Sequence, residues 1–538
     1  METTDHATEG DPLKRGEEAT ELKKKSCKEV LGLAKLTHWR TAVFFFSLFL
    51  CLTIVFAFSF VLPCPVRPQY LVSWNRTFPE AATFDFLAIE AASSDKVLDV
   101  LFVLKTRECG VNNTCADAGL PSPCVFVLAV DGTDGETLWE RPLHPEFHWA
   151  QCGLEENTGR TWDCLLSHSD QITAVDKHSG EIKWQQPQLS GLHSTVPVLS
   201  IPDLDGDKVN DVALVGSDNT QTQLAFLSGK TGDQIGSTVS LNSTEAHLLH
   251  RTKEGSHYVL LQTDTGLYGL ALWRIAAKAK EGIEVRLKKD KHWEKNASSA
   301  TGLVPIYESD SVSQVVRKEE RGDPPNLLLV TSTDVVLLNG KTRKLLWRFN
   351  TSSVLSEPSF GHFNKDDVLD VVVEEDVGNY TKRIVILDGK SGVVLWQVSL
   401  LSCPNSPRPT AIHTTNSVSV FVFWGMMPTA TNSSIPLMSD RHSYLLLPLY
   451  SQVLLESTNV LDHIITFKAT LLERGRHAAY FLLTGQEAEG DEDTVVLRKR
   501  KLKQDVPHSK VLRIGSGGES ESNEDIIEAF QRLRFSEE

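Results

Sequence analysis

The 538-residue chain sets 54 Lys and Arg against 70 Asp and Glu, a formal charge of -16. That balance excludes a nucleic-acid binder working through a basic face, and neither familiar glycine-rich phosphate loop is present. Nine cysteines in such a length brace a core that the chain can already bury, rather than replace one.

Residues 1–40 are polar and charge-mixed, which predicts a disordered tail. Its Thr and Ser residues are candidates for phosphorylation, and "KKKSCK" for contact with anionic lipid headgroups. Residues 42–62, "AVFFFSLFLCLTIVFAFSFVL", contain no charge, proline or glycine. As a helix the run spans about 31 Å, matching a hydrocarbon core of roughly 30 Å. It is too long and starts too far in for a cleaved signal peptide, so residues 41–63 are assigned as a transmembrane signal anchor. Lys23, Lys24, Lys25, Lys28, Lys35 and Arg40 precede it, whereas Arg67 is the first basic residue after it. Positive charge stays cytoplasmic, so the tail is inside and the rest lies outside or in a lumen. Seven sequons, at Asn75, Asn112, Asn242, Asn296, Asn350, Asn379 and Asn432, all follow the helix and predict N-glycosylation. The reading is a single-pass type II membrane glycoprotein, at the cell surface and/or in secretory-pathway membranes.

A stalk is expected over 64–78, with Cys64 pairing between chains, palmitoylated or unmodified. In the oxidising ectodomain Cys109, Cys115, Cys124, Cys152, Cys164 and Cys403 are disulfide candidates. Cys152 to Cys164 across a hairpin is the favoured bridge, though pairing cannot be read from sequence.

From residue 79 to 513 internal repetition decides the fold. "AVDGTDGETLW" (129–139), "AVDKHSGEIKW" (174–184), "FLSGKTGDQIG" (226–236), "LLNGKTRKLLW" (337–347) and "ILDGKSGVVLW" (386–396) each join two strands by a turn rich in Asp, Gly, Ser or Thr. Gly accepts positive φ and Asp or Asn bonds its own backbone, which is hairpin chemistry. All but the third close on tryptophan. The spacing is about 45 to 55 residues with one double-length gap, which predicts a degenerate unit near "YVLLQTDTGLYGLALWRI" (258–275). Weaker units follow at 443–456 and 494–502. This period fits one four-stranded blade, so the fold class is all-β: a β-propeller ectodomain behind a single transmembrane α-helix, with eight blades favoured and seven the competing count. A β-sandwich array would need longer modules.

A second repeat is interleaved. In "DLDGDKVNDVALV" (203–215), Asp203, Asp205, Asp207 and Asp211 occupy relative positions 1, 3, 5 and 9, with the carbonyl of Val209 at position 7. Alternate carboxylates in a tight loop are how a hard cation is wrapped in oxygen. "HFNKDDVLDVVVE" (362–374) offers a weaker set, Asn364, Asp366, Val368 and Asp370, and "AASSDKVLDVLFV" (91–103) too few ligands. Such extracellular calcium loops bind with a dissociation constant of ~0.1–1 mM. At about 1 mM free calcium the tighter end adds roughly 1.4 kcal/mol, enough to brace a loop and too little for a sensitive switch. Calcium is therefore the expected cofactor, in a structural role. Residues 514–538 read as a flexible acidic linker and a short amphipathic helix whose Ile526, Ile527, Phe530 and Leu533 share a face; docking on its own domain is favoured. "RKRKLK" (498–503) reads as a solvated strand face.

The acidic loops resemble the FG-GAP repeats of integrin α-subunit propellers, where such loops bind calcium on blade edges. The tryptophan hairpins resemble the blade repeat of quinoprotein-type propellers, although those enzymes use adjacent cysteines and this chain has no Cys-Cys pair. A signal-anchored propeller carrying both motifs behind a short charged tail resembles the type II proteins called family with sequence similarity 234, over essentially the whole chain. The resemblance implies fold and topology and no settled molecular activity.

No G-x-S-x-G elbow appears, and His144, His148, His168, His178 and His193 have no nucleophile at diagnostic spacing. No catalytic residue is assigned. The expected function is a non-enzymatic, calcium-braced propeller that binds membrane or extracellular proteins as an accessory subunit, chaperone or adhesion module. The alternative is a lumenal or extracellular enzyme acting on glycans or protein.

Overall fold

The computed structural model describes residues 38–61, 73–93, 97–106, 118–120, 122–154, 163–189, 192, 194–218, 221–319, 324–402, 407–428, 441–460, 463–472, 477–485, 493–514 and 521–536. Residues 1–37, Cys64, Asp95, Cys109, Asn112, Cys115, His193, Cys403 and Asn432 lie outside them. The chain divides into two compact units, 1–68 and 69–538.

In the first unit one α-helix spans His38–Val61, so it begins before the expected residue 41. At 24 residues it is about 36 Å long. Phe44, Phe45, Phe46 and Phe49 are all more than half exposed. So much apolar surface without a protein partner fits a single-pass membrane span.

The second unit is built from antiparallel sheets. Five have four strands each: β5 (Phe147–Gln151) to β8 (Ile182–Pro187), β9 (Ser194–Ile201) to β12 (Val239–Leu241), β13 (Glu245–Arg251) to β16 (Leu303–Tyr307), β17 (Val312–Lys318) to β20 (Leu345–Asn350), and β21 (Ser359–Gly361) to β24 (Val394–Leu401). A five-stranded sheet runs from β25 (Thr410–His413) to β28 (Val453–Val460) and takes β32 (Lys510–Arg513) on its outer edge. A seven-stranded sheet runs in the order β29 (Ile464–Leu472), β30 (His477–Thr484), β31 (Asp493–Lys501), β1 (Trp74–Glu90), β2 (Asp99–Thr106), β3 (Cys124–Val130), β4 (Thr137–Leu143).

β1 joins the last strands of the ring to the first. Trp74 to Phe78 pair with β31, and Leu87 to Glu90 pair with β2. The expected stalk is therefore shorter, because residues 74–78 are already strand. Divided at β1, the long sheet gives two four-stranded units and a count of eight; undivided, the count is seven. Successive first strands touch in turn: β1 and β5, β5 and β9, β9 and β13, β13 and β17, β21 and β25, β25 and β29, β29 and β1. The architecture is a β-propeller whose first strands form the inner ring. Closure by β1 leaves no open edge for another chain to pair with there.

Sheets stack face to face, so most strands are buried on both sides and read as continuous apolar runs. β18 (Asn326–Thr331) and β26 (Ser419–Gly425) are buried at every residue. The degenerate unit is real: β14 (His257–Thr263) and β15 (Gly266–Ala271) form its hairpin, after which the chain leaves in a helical insertion with helices Leu272–Ala279 and Lys291–Glu294. The C-terminal helix, Asn523–Arg532, starts at a Ser522–Asp525 capping box. It packs Ile526, Phe530 and Leu533 into the core beneath β25–β28, with Ile527 partly buried. In "RKRKLK", by contrast, Lys499 and Lys501 are buried and Arg500 pairs with Asp505 at 2.8 Å. Residues 498–501 end β31 and only one face of them is solvated, while Leu502 and Lys503 already belong to a short helix, Leu502–Asp505.

Antiparallel meanders alternate the ends at which their turns emerge. First-to-second and third-to-fourth connections share one end of the propeller, here the loop end. Second-to-third turns and exits to the next sheet share the other, the return end.

Candidate metal loop and its structural surroundings

Asp99, Asp211 and Asp370 open the second strands β2, β10 (Asp211–Asp218) and β22 (Asp370–Gly378), and all three are fully buried. Each carboxylate accepts backbone N–H groups from both its own loop and the neighbouring hairpin. Asp211 takes Leu204 N at 2.6 Å and Gly229 N at 3.1 Å. Asp370 takes Phe363 N at 2.6 Å and Gly389 N at 3.0 Å. Asp99 takes Ala92 N at 2.9 Å and Gly132 N at 3.1 Å. The shared last aspartate is thus a staple that satisfies orphaned buried donors before it is anything else. Asn326 does the same for Gly340 N at 3.0 Å. No local pattern marks this fourth copy: the preceding "KEERGDPP" (318–325) is acidic but lacks carboxylates at alternate positions, and Asn326 stands where the other copies have Asp.

In the 203–211 loop, Asp203, Asp205 and Asp211 each offer a carboxylate oxygen within 4.8 Å of the others. Asp207 is not in this group: its Oδ1 accepts Val209 N at 2.8 Å, and Asp205 Oδ1 accepts Asp207 N at 3.0 Å. Positive φ at Gly206 (92°) and Lys208 (73°) turns the chain tightly. A Cβ on Gly206 would stand 2.2 Å from the Arg286 guanidinium, which donates to Leu204 O at 3.0 Å. Burial pushes the Asp211 carboxyl up to about 7, and the Asp205 and Asp203 charges add to it against the two N–H donors. Three crowded carboxylates, one of them buried, form a donor set that fits a hard divalent cation.

The 362–370 loop has the same turn without the same convergence. Asn364 Oδ1 accepts Asp366 N at 3.2 Å while its Nδ2 donates to Asp388 at 3.3 Å. Asp366 Oδ1 accepts Val368 N at 3.0 Å. Both side chains are used in holding the turn, and among the described residues no acidic group gathers there.

The tryptophans dock each sheet on the next. Trp139 Nε1 donates to Lys177 O, Trp184 to Gly229 O and Trp347 to Gly389 O, at 3.0, 3.0 and 3.1 Å. Under these rings lie Gly180, Gly232 and Gly392, where a Cβ would stand 2.5, 2.4 and 2.7 Å from the indole. The two interfaces beside the helical insertion depart from the pattern. Gly236 stands in place of the third tryptophan where the end of the insertion's first helix comes close: a Cβ there would stand 2.5 Å from Ala279 O, to which Ser237 N donates at 2.9 Å. At the next interface His250 bonds Gly340 O at 3.0 Å, and Trp293 from the insertion stacks on it at 5.3 Å. Arg343, at the hairpin position held elsewhere by Gly, lays its guanidinium 4.8 Å from the Trp293 ring. An imidazole and an inserted indole share the work of one tryptophan.

Cys152 and Cys164 form the favoured disulfide, and Cys124 is also disulfide-bonded. His168 bonds the Thr173 hydroxyl at 2.9 Å, but both are buried. Burial, then His144 and His148, hold the His168 imidazole down to about 4. His178 is engaged with Ala92 O at 3.0 Å.

Fold and loops define a β-propeller protein with one apolar helix of membrane-spanning length ahead of it. Residues 74–536 match the family described as FAM234A/B beta-propeller, and the chain belongs to that family. It is 35% identical to Protein FAM234A of Bos taurus over 94% of this chain and 92% of that one, and 35% identical to Protein FAM234A of Homo sapiens over the same shares. Protein FAM234B of Gallus gallus is 27% identical over 90% of this chain and 79% of its own length.

Proposed function

We propose that the chain is a non-enzymatic type II membrane glycoprotein, in secretory-pathway or surface membranes, whose propeller binds other membrane or extracellular proteins. The distribution of sequon asparagines carries the reading. Asn75, Asn242, Asn296, Asn350 and Asn379 are all exposed. Asn242, Asn350 and Asn379 stand at the return end; Asn75 lies on β1 and Asn296 in the helical insertion. Glycans at these sites would cover the return end and leave most of the loop end bare. A rigid array of bare loops on a closed scaffold is suited to recognition.

Calcium fits this role as a brace. Asp203, Asp205 and Asp211 would hold the ion, which supplies the charge neutralisation that their crowding calls for, while Asp207 secures the turn. The 362–370 loop is the weaker candidate. The His168–Thr173 histidine–hydroxyl pair is buried.

Proximity labelling from the ectodomain in living cells, with chemical cross-linking, tests the binding role. A short, reproducible set of membrane glycoproteins is expected; labelling no different from an unrelated anchored control would reject it. Enzymatic removal of N-glycans should increase the mobility of the full-length protein, and an unshifted band would reject the glycoprotein assignment.

A further inference from the structure

At the loop end, a cleft of about 1110 Å³ opens where β9, β13 and β17 finish. Its walls carry Arg251, Lys253, His257, Arg286, Lys288 and Arg317, while Glu319 is the acid among its described lining residues. The five Lys and Arg side chains are exposed, in a chain whose net charge is -16. Their convergence is felt at His257: burial first, then Arg251, Arg317 and Lys288, drive its imidazole down to about 4. The half-buried Pro197, Leu248 and Pro325 add apolar surface to the same lining. The candidate metal loop forms one wall, through Ile201, Pro202 and Asn210, and Arg286 ties that wall to the insertion.

We propose that this cleft is the docking site for an acidic peptide segment of a partner protein, one that alternates carboxylates with apolar side chains. The inference rests on the reading of the propeller as a binding platform and names the chemistry of its partner. Carboxylates meet the guanidinium and ammonium groups, and apolar side chains cover the proline and leucine surface, which a sulfated glycan would leave wet. The chain's own acidic C-terminal helix is already packed beneath β25–β28. Elsewhere the negative surface repels an acidic partner, so the cleft orients its approach.

The test uses full-length protein in nanodiscs and a fluorescent peptide alternating glutamate and leucine, read by anisotropy. Wild type should bind it, more weakly as salt rises. The Arg251→Glu/Lys288→Glu variant should lose at least about tenfold in affinity, with Lys390→Glu, also on the loop end but in another sheet, unaffected. Thermal unfolding checks that each variant is folded, and Arg251→Gln/Lys288→Gln repeats the measurement with a milder change. No binding by wild type, or an equal loss in Lys390→Glu, overturns the proposal. So does binding of a heparin oligosaccharide with none of the peptide, which would assign the cleft to glycans. In cells, an unchanged set of proximity-labelled proteins in the charge-reversed variant removes the cleft and leaves the platform. An empty set from wild type removes both.

Discussion

Asp205 and Asp211 belong to one acidic loop but answer to different forces. Asp211 is buried and holds two backbone donors, so Asp211→Ala orphans both and should cost about 2–4 kcal/mol even without metal. Asp205 is exposed and holds only Asp207 N; Asp205→Asn should leave metal-free stability within about 0.5 kcal/mol of wild type. Thermal unfolding with calcium and with chelator separates them. Calcium should raise the unfolding temperature of wild type and not of Asp205→Asn, and an equal rise in both would reject the ion site. Three desolvated histidines set a pH limit, His168 and His250 buried and His257 half-buried. His168, His250 and His257 titrate near 4 in the fold, below their ordinary 6.5, chiefly through burial. Between these values the unfolded chain binds more protons at the three histidines, so the stability they contribute above about 6.5 falls as pH drops toward about 4. Asp211 partly offsets this, since its raised carboxyl takes up its proton in the fold over the same window. An unfolding temperature that stays flat across that window would contradict the burial seen here.

At the scale of elements, the joint between sheets is an indole on a glycine turn. Trp184→Ala should cost about 3–5 kcal/mol by leaving a void between two sheets. Trp184→Phe keeps most of the packing and loses the bond to Gly229 O, and should cost about 1–2 kcal/mol. Chemical denaturation gives both numbers, and equal losses would mean that the hydrogen bond, not the packing, holds the joint. Where the insertion interrupts the repeat, His250, Trp293 and Arg343 rebuild the same joint from three residues. This is why the degenerate unit keeps its place in the ring without keeping the motif.

For the whole molecule, β1 decides whether the ring is closed. Deleting residues 74–78 unpairs β31 and exposes the apolar cluster that Trp74 and Phe78 cover. Unfolding should then begin at lower temperature and lose its single transition, with β29–β31 the first strands cut in limited proteolysis. A truncated protein that melts as sharply as wild type would show that closure contributes nothing. The same ring makes two unlike ends, one carrying three exposed sequons and the other the acidic loop and the cationic cleft.

The membrane-length helix, the hairpins, the carboxylate spacing and the amphipathic C-terminal helix were legible in the sequence because each depends on neighbours a few residues apart. Turn chemistry and periodicity act at that range, so the propeller class could be read and the short Cys152–Cys164 spacing could be favoured, though not fixed, as a bridge. Other features needed the ring itself. Only the folded loop shows which carboxylates gather: Asp203, Asp205 and Asp211 offer oxygens within 4.8 Å of one another, and Asp207 is not in that group. Asn326 and His250 took over roles from Asp and Trp at positions where no local pattern marks them. Arg251, Arg286 and Arg317 are scattered along the chain; they face one cleft because the first strands β13 and β17 end side by side with Arg251 and Arg317, and the helical insertion brings Arg286 beside them.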